Sequence, residues 1–144
     1  MEVKVRNCKI TDFDMVFSLF HQLWPGKELD KNKLMDVLSF GLRSSEYEYL
    51  CAVLHGKVVG FCALAVVHSF WQEGCIAYVI AMVVDQEVRG CGIGTALMDK
   101  AADLSRLKGC KKLELDSAFH REGAHLFYET IGFSKRAFLF SKDL

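Results

Sequence analysis

The sequence predicts an α/β (α+β) fold in one domain spanning residues 1–144, and three features carry that prediction. Residues 47–70 hold two β-rich runs separated by His55, Gly56 and Lys57, the pattern of a β-hairpin. Residues 75–115 read as strand, glycine turn, amphipathic helix and short strand, which together make one βαβ unit. Amphipathic stretches before the hairpin and after that unit add helices on either side.

In chain order, Val3 to Val5 suggests a first strand, and Thr11 followed three places on by Asp14 gives an N-terminal capping pattern. Val16, Leu19, Phe20 and Leu23 then share a helical face until Pro25 stops the helix. A second helix is expected from about Lys31 to Leu42, with Leu34, Leu38 and Leu42 as its stripe. The hairpin arms run from Tyr47 to Leu54 and from Val58 to Phe70. The unbroken apolar run of the second arm predicts a strand covered on both faces. A strand from Cys75 to Val84 leads into the glycines, after which Ile93, Leu97, Ala101 and Leu104 share a helical face that excludes Asp99, Asp103 and Arg106. Gly109 closes that helix and Lys112 to Leu115 is a short strand. Arg121 to Thr130, closed by Gly132, forms the last helix, and Phe138 with Phe140 marks a final strand. No internal repeat is present.

Composition narrows the function. Apolar residues make up 51% of the chain and there is one proline, so a full core can be buried and no low-complexity segment interrupts it. Eighteen basic residues balance eighteen acidic ones, which argues against nucleic acid as a partner; any anion is held locally. The start, MEVKVRNCKITDFD, lacks the basic and apolar regions of a signal peptide, and no apolar run reaches the roughly 18 residues of a membrane span. Six single cysteines, with no CxxC and no zinc-ligand spacing, read as free thiols in a reducing cytoplasm, and no metal is expected.

The chemistry concentrates in RGCGIG, Arg89 to Gly94. Glycines where a strand ends and a helix begins leave the amides of the first turn unpaired, pointing outward with the positive end of the helix dipole. Such a corner binds phosphate, and glycine keeps side chains out of the way. A Walker loop is excluded because no GK(S/T) follows. A Rossmann fingerprint would need a third glycine where Thr95 stands, although Glu114 mimics its ribose-binding acid. A tight turn without a ligand is the remaining alternative, and a pyrophosphate is the better expectation.

RGCGIG resembles the (Q/R)xxGx(G/A) signature of the GCN5-related N-acetyltransferases, the GNAT family, and AHLFYETIGF, Ala124 to Phe133, resembles that family's AxxxYxxxGF helix. The two segments cover roughly residues 75 to 140, and the order of the earlier elements is similar. The resemblance implies a mixed central sheet of six to seven strands flanked by about four helices. It also implies an acetyl-CoA-dependent N-acetyltransferase, closest in look to small-molecule enzymes of the aminoalkylphosphonate and aminoglycoside type.

On this chain the resemblance implies that Arg89, Gly90, Cys91, Gly92, Ile93, Gly94 and Thr95 hold the pyrophosphate of acetyl-CoA. It implies that the backbone of Met82, Val83 and Val84 pairs with pantetheine, with an amide near Met82 or Val83 binding the thioester oxygen. Transfer would be direct, in a ternary complex with a small-molecule amine. Tyr128 matches the residue that protonates the leaving thiolate. Three departures stand out. No carboxylate lies between Glu73 and Asp85, so the usual base is unassigned among Glu73, Tyr78, His68, His120 and His125. Arg121 stands where relatives carry asparagine and is expected to contact coenzyme A or an anionic acceptor. Cys91 sits inside the phosphate loop and is expected to alkylate readily unless acetyl-CoA shields it. A peptide acetyltransferase and a non-catalytic acetyl-CoA-binding module are the rival readings, and pairing of strands through Phe138 and Phe140 would give a homodimer.

Overall fold

The computed structural model describes residues 2–144. Its elements are β1 (Lys4–Asn7), α1 (Phe13–Leu23), α2 (Lys31–Leu42), β2 (Tyr47–Leu54), β3 (Lys57–Ser69), β4 (Gly74–Val84), α3 (Ile93–Leu107), β5 (Leu113–Leu115) and α4 (Glu122–Thr130). Among the described residues no helix is long and apolar enough to cross a membrane. The chain divides into two compact units, one reaching to Glu114 and one formed by Leu115–Leu144.

The first unit is built on the sheet, whose strands lie in the order β1-β2-β3-β4-β5. The first four pair antiparallel. The hairpin between β2 and β3 closes over His55 and Gly56, both at positive φ (48° and 75°). That is the two-residue turn whose twist suits a hairpin. Along β5 the bonds Lys111 N to Cys75 O (2.9 Å) and Ala77 N to Lys112 O (2.9 Å) advance in the same direction on both chains. This is parallel pairing, so the sheet is mixed.

Helices cover both faces. Phe13, Val16, Leu19 and Phe20 of α1 and Leu38 of α2 pack with Tyr49, Cys51, Phe61, Ala63 and Val83. On the opposite face a Cβ at Gly60 would meet Leu97 at 2.9 Å and Ile93 at 3.4 Å, so glycine lets α3 close onto β3. The second hairpin arm is therefore buried on both sides from Val58 to Leu64, as its unbroken apolar run predicts, whereas the rest of it, to Phe70, is half-buried or exposed because no helix covers it.

The N-terminal cap differs from expectation. A short 3-10 turn, Ile10–Asp12, precedes α1, and the capping carboxylate belongs to Asp12, not to the Thr11 and Asp14 pattern. Asp12 accepts from Lys9 N (2.8 Å) and takes a bidentate pair of bonds from Arg6 Nη1 (2.8 Å) and Nη2 (2.9 Å). The Arg6 bond holds the Asp12 carboxyl below its usual range. All six cysteines are free thiols. Burial pushes the Cys62 thiol up to about 12.

The strand count is a second correction. Among the described residues five strands form, not six to seven, because the stretch carrying Phe138 and Phe140 adopts no regular structure. Phe138, Leu139 and Phe140 are exposed, and Phe138 instead meets the Phe119 ring at 6.4 Å. A strand needs a neighbour for its amides, and apolar alternation reports only side chains.

Candidate functional site

The corner after β4 is fixed from three directions. Asp85, buried at the strand end, donates its backbone N–H to Val59 O (2.8 Å), and its carboxylate caps the next turn by accepting from Glu87 N (3.1 Å). Gln22 of α1 grips the same corner with both ends of its amide, donating to Asp85 Oδ1 (3.4 Å) and accepting from Gln86 N (2.9 Å). Lys57 stands 3.8 Å from the carboxylate, completing the wall of a polar cavity of about 270 Å³. Arg89 folds back so that Nε donates to Val84 O (2.9 Å), which commits one of its five donors to bracing the corner.

Beyond this brace the backbone opens. Gly90 and Gly92 adopt φ of 78° and 84°, and nothing lies within 4 Å of the position a Cβ would take at either. Glycine is needed here for the backbone conformation, and the space in front of it stays clear. Gly92 is the N-cap of α3, no side chain caps the helix, and its first helical bond is Ala96 N to Gly92 O (3.0 Å). The amides of Ile93, Gly94 and Thr95 precede that bond and lie at the positive end of a 15-residue helix. Ile93 and Leu97, 1% and 0% exposed, anchor the helix so that this end cannot drift. The donor set fits a phosphate or pyrophosphate. Cys91 lies exposed between the two glycines, its Sγ 3.8 Å from Arg89 O.

Upstream, β4 carries a bulge. Ala81 pairs with Ala63 and Val79 with Leu64, so Ile80 is an extra residue with no partner on β3. β5 has three residues against eleven in β4, and pairing that begins at Cys75 and Ala77 leaves β4 running on past it toward Met82, Val83 and Val84. Met82 and Val83 are buried and Val84 half-buried, so the side chains of Met82 and Val83 belong to the core.

A family model for the acetyltransferase (GNAT) family matches residues 13–133. The chain belongs to that family. This GNAT protein is accordingly an acetyl-CoA-dependent N-acetyltransferase. It is 28% identical over 135 residues to a glucosamine 6-phosphate N-acetyltransferase of Trypanosoma brucei brucei, covering 92% of this chain and 90% of that one. It is 25% identical over 117 residues to an aminoglycoside N(6')-acetyltransferase of Stenotrophomonas maltophilia, covering 78% and 74%. A solved acetyltransferase structure from Trypanosoma brucei superposes with a TM-score of 0.81 at 27% identity, over 99% of this chain and 100% of the other.

Within the second unit, α4 begins with Arg121 as its half-buried N-cap and ends at Gly132, with Phe133 N donating to Tyr128 O (2.9 Å). Tyr128 is buried, its ring 5.4 Å from that of Phe127 and 5.7 Å from that of Phe133. His125 Nε2 is bound to Ala118 O (2.9 Å), so that nitrogen ties α4 to the preceding turn and is not available as a base.

In the first unit, Glu73 lies in the turn before β4, at the opposite end of the strand from Val84 and roughly 30 Å away at strand rise. His68 pairs with Cys75 at that same far end and faces Glu46 at 3.8 Å. Neither reaches the glycine corner. Tyr78 is the base candidate on β4 itself, two residues before the bulge. The bulge and the Gln22 clamp were missed from sequence: CIAYVIAMVV is apolar throughout, with no alternation to break, and Gln22 lies 63 residues from its partner.

Replacing Gly92 with alanine is expected to raise the Kd for acetyl-CoA about tenfold. A side chain in the left-handed region costs ~1–2 kcal/mol, and relaxing it would turn the amides away from the anion. Isothermal calorimetry on Gly92→Ala checks this, with the melting temperature measured alongside.

Proposed function

We propose that this GNAT enzyme moves the acetyl group of acetyl-CoA directly onto a primary amine of a small molecule, in a ternary complex, with the whole chain acting as one catalytic domain. The observation that carries the reading is the uncapped start of α3, preceded by two left-handed glycines with clear space before them. In this reading Arg89 to Thr95 hold the pyrophosphate, and the backbone of Met82, Val83 and Val84 aligns pantetheine along the part of β4 that outruns β5. An amide near Met82 or Val83 receives the thioester oxygen. Tyr128 protonates the departing thiolate, and Arg121 contacts coenzyme A or an anionic acceptor.

The acceptor class is drawn from relatives whose names specify glucosamine 6-phosphate and aminoglycosides. The test is release of free coenzyme A thiol with aminoalkylphosphonates, aminoglycosides, amino sugars, polyamines and short peptides as acceptors. Turnover on small amines supports the proposal, whereas turnover confined to peptide N-termini would replace it with a peptide acetyltransferase. Cys91 gives an independent check on the cofactor site. Its alkylation by iodoacetamide is expected to slow when acetyl-CoA is saturating; equal rates with and without it would remove the loop from the site.

A further inference from the structure

We propose that the amine acceptor carries an aryl or branched-alkyl body, seated in the apolar crevice between α1, α2 and the bulge of β4. This rests on the reading of the end of β4 as the place of acetyl transfer. The crevice encloses about 120 Å³, and its walls include Phe13, Phe20, Trp24, Val37, Ile80 and Ala81. It opens to solvent where Val37 and Ile80 are exposed. No Asp, Glu, Lys, Arg or His lines it, and the one hydroxyl among its walls, on Tyr49, is directed to Val37 O at 3.4 Å.

The bulge makes this wall. In a regular strand Ile80 and Ala81 would point to opposite faces. With Ile80 inserted, both line the crevice, and Ala81 leads directly into Met82, Val83 and Val84. A body in the crevice is therefore held one residue from the strand segment along which the acetyl group would lie.

The chemistry of the walls selects the occupant. A cavity of about 150 Å³ lined by aliphatic and aromatic side chains takes up benzene, so a phenyl ring or a branched alkyl group is the right scale here. Each buried methylene strengthens binding about fourfold. A hydroxyl left without a partner weakens it by about tenfold or more, which penalises the many hydroxyls of an amino sugar. Apolar surroundings also disfavour an ammonium ion and so lower the proton affinity of the amine. That eases attack in a strand without the usual carboxylate.

The experiment compares phenethylamine and isoamylamine with glucosamine 6-phosphate and an aminoglycoside by coenzyme A release, in the native chain, Ala81→Phe and Trp24→Ala. The apolar amines are expected to give kcat/KM about tenfold or more above the sugars. Ala81→Phe fills the crevice and should raise KM for phenethylamine about tenfold while KM for acetyl-CoA stays within about twofold. Trp24→Ala enlarges the rim without touching the strand and should shift preference toward tryptamine.

Preference for the sugars, or amine KM values that neither variant moves, would overturn the inference and leave the acetyltransferase reading standing. Failure to bind acetyl-CoA by calorimetry would overturn that reading itself. Should no amine turn over, Trp24 fluorescence in a Trp71→Phe background decides. A saturable change with phenethylamine and none with glucosamine 6-phosphate supports the crevice as an apolar-amine site, and the absence of any change overturns it.

Discussion

Tyr128→Phe is expected to bind acetyl-CoA with unchanged Kd while kcat falls about 10²-fold, the lower end of the range for a positioned general acid. The lower end applies because a thiol loses its proton near pH 8.5, so the departing thiolate is only a moderately strong base at neutrality. For the same reason the deficit should shrink as pH rises through that value. Phenylalanine keeps the ring contacts with Phe127 and Phe133 and removes only the hydroxyl, so packing and chemistry are separated. Thiol-release rates across the neutral and alkaline range provide the measurement. A variant with native kcat and a lowered melting temperature would assign the hydroxyl to the fold.

Arg6→Met should cost about 1–3 kcal/mol of stability, the range for leaving a buried acceptor without its main donor, because Asp12 is buried while Arg6 is 27% exposed. The Asp12 side chain is 5% exposed and would keep the Lys9 amide (2.8 Å) and the weak Cys51 thiol (3.9 Å) as donors. The pH dependence carries a sign that can be checked. Arg6 holds the folded-state pKa of Asp12 below its unfolded value, so the pair contributes fully above about pH 4, and that contribution is lost as pH falls through the lowered value. Without Arg6, burial is the main influence left and pushes the carboxyl up. Acid should then cease to destabilise through this group. Urea titrations of native and variant protein from neutral to acid pH would show the native curve falling and the variant curve flat or rising.

Much of the first unit was legible because its signals are local. Pro25 marks the end of α1 and the Leu34, Leu38 and Leu42 stripe marks α2, and the hairpin was legible although Lys57, read as part of its turn, begins β3. RGCGIG announced its own geometry, since only glycine takes those backbone angles readily. What escaped depends on partners distant in the chain. Asp12 displaced the expected cap because Arg6 reaches it across the turn. The tail through Phe138 and Phe140 looked like a strand, yet apolar character says nothing of whether another strand lies beside it. The crevice was invisible because its walls come from α1, α2 and three strands, and each of its residues alone reads as ordinary core.

The unpaired residue at Ile80 makes β4 a matter of counting. Before it, even-numbered side chains such as Tyr78 share the face of α1 and α2; after it, odd-numbered ones, Ala81 and Val83, take that face. Substituting residue 80 keeps the bulge, whereas deleting it would place Val79 and Ala81 as neighbours opposite Leu64 and Ala63 and make the strand regular. Ala81 would still oppose Ala63 and Val83 would still oppose Phe61, so both would keep their side of the sheet, while the crevice would lose the Ile80 side chain. At this position the sequence encodes a number of residues more than a kind of residue: the extra one supplies the local twist and one wall of the crevice, and both would go with it.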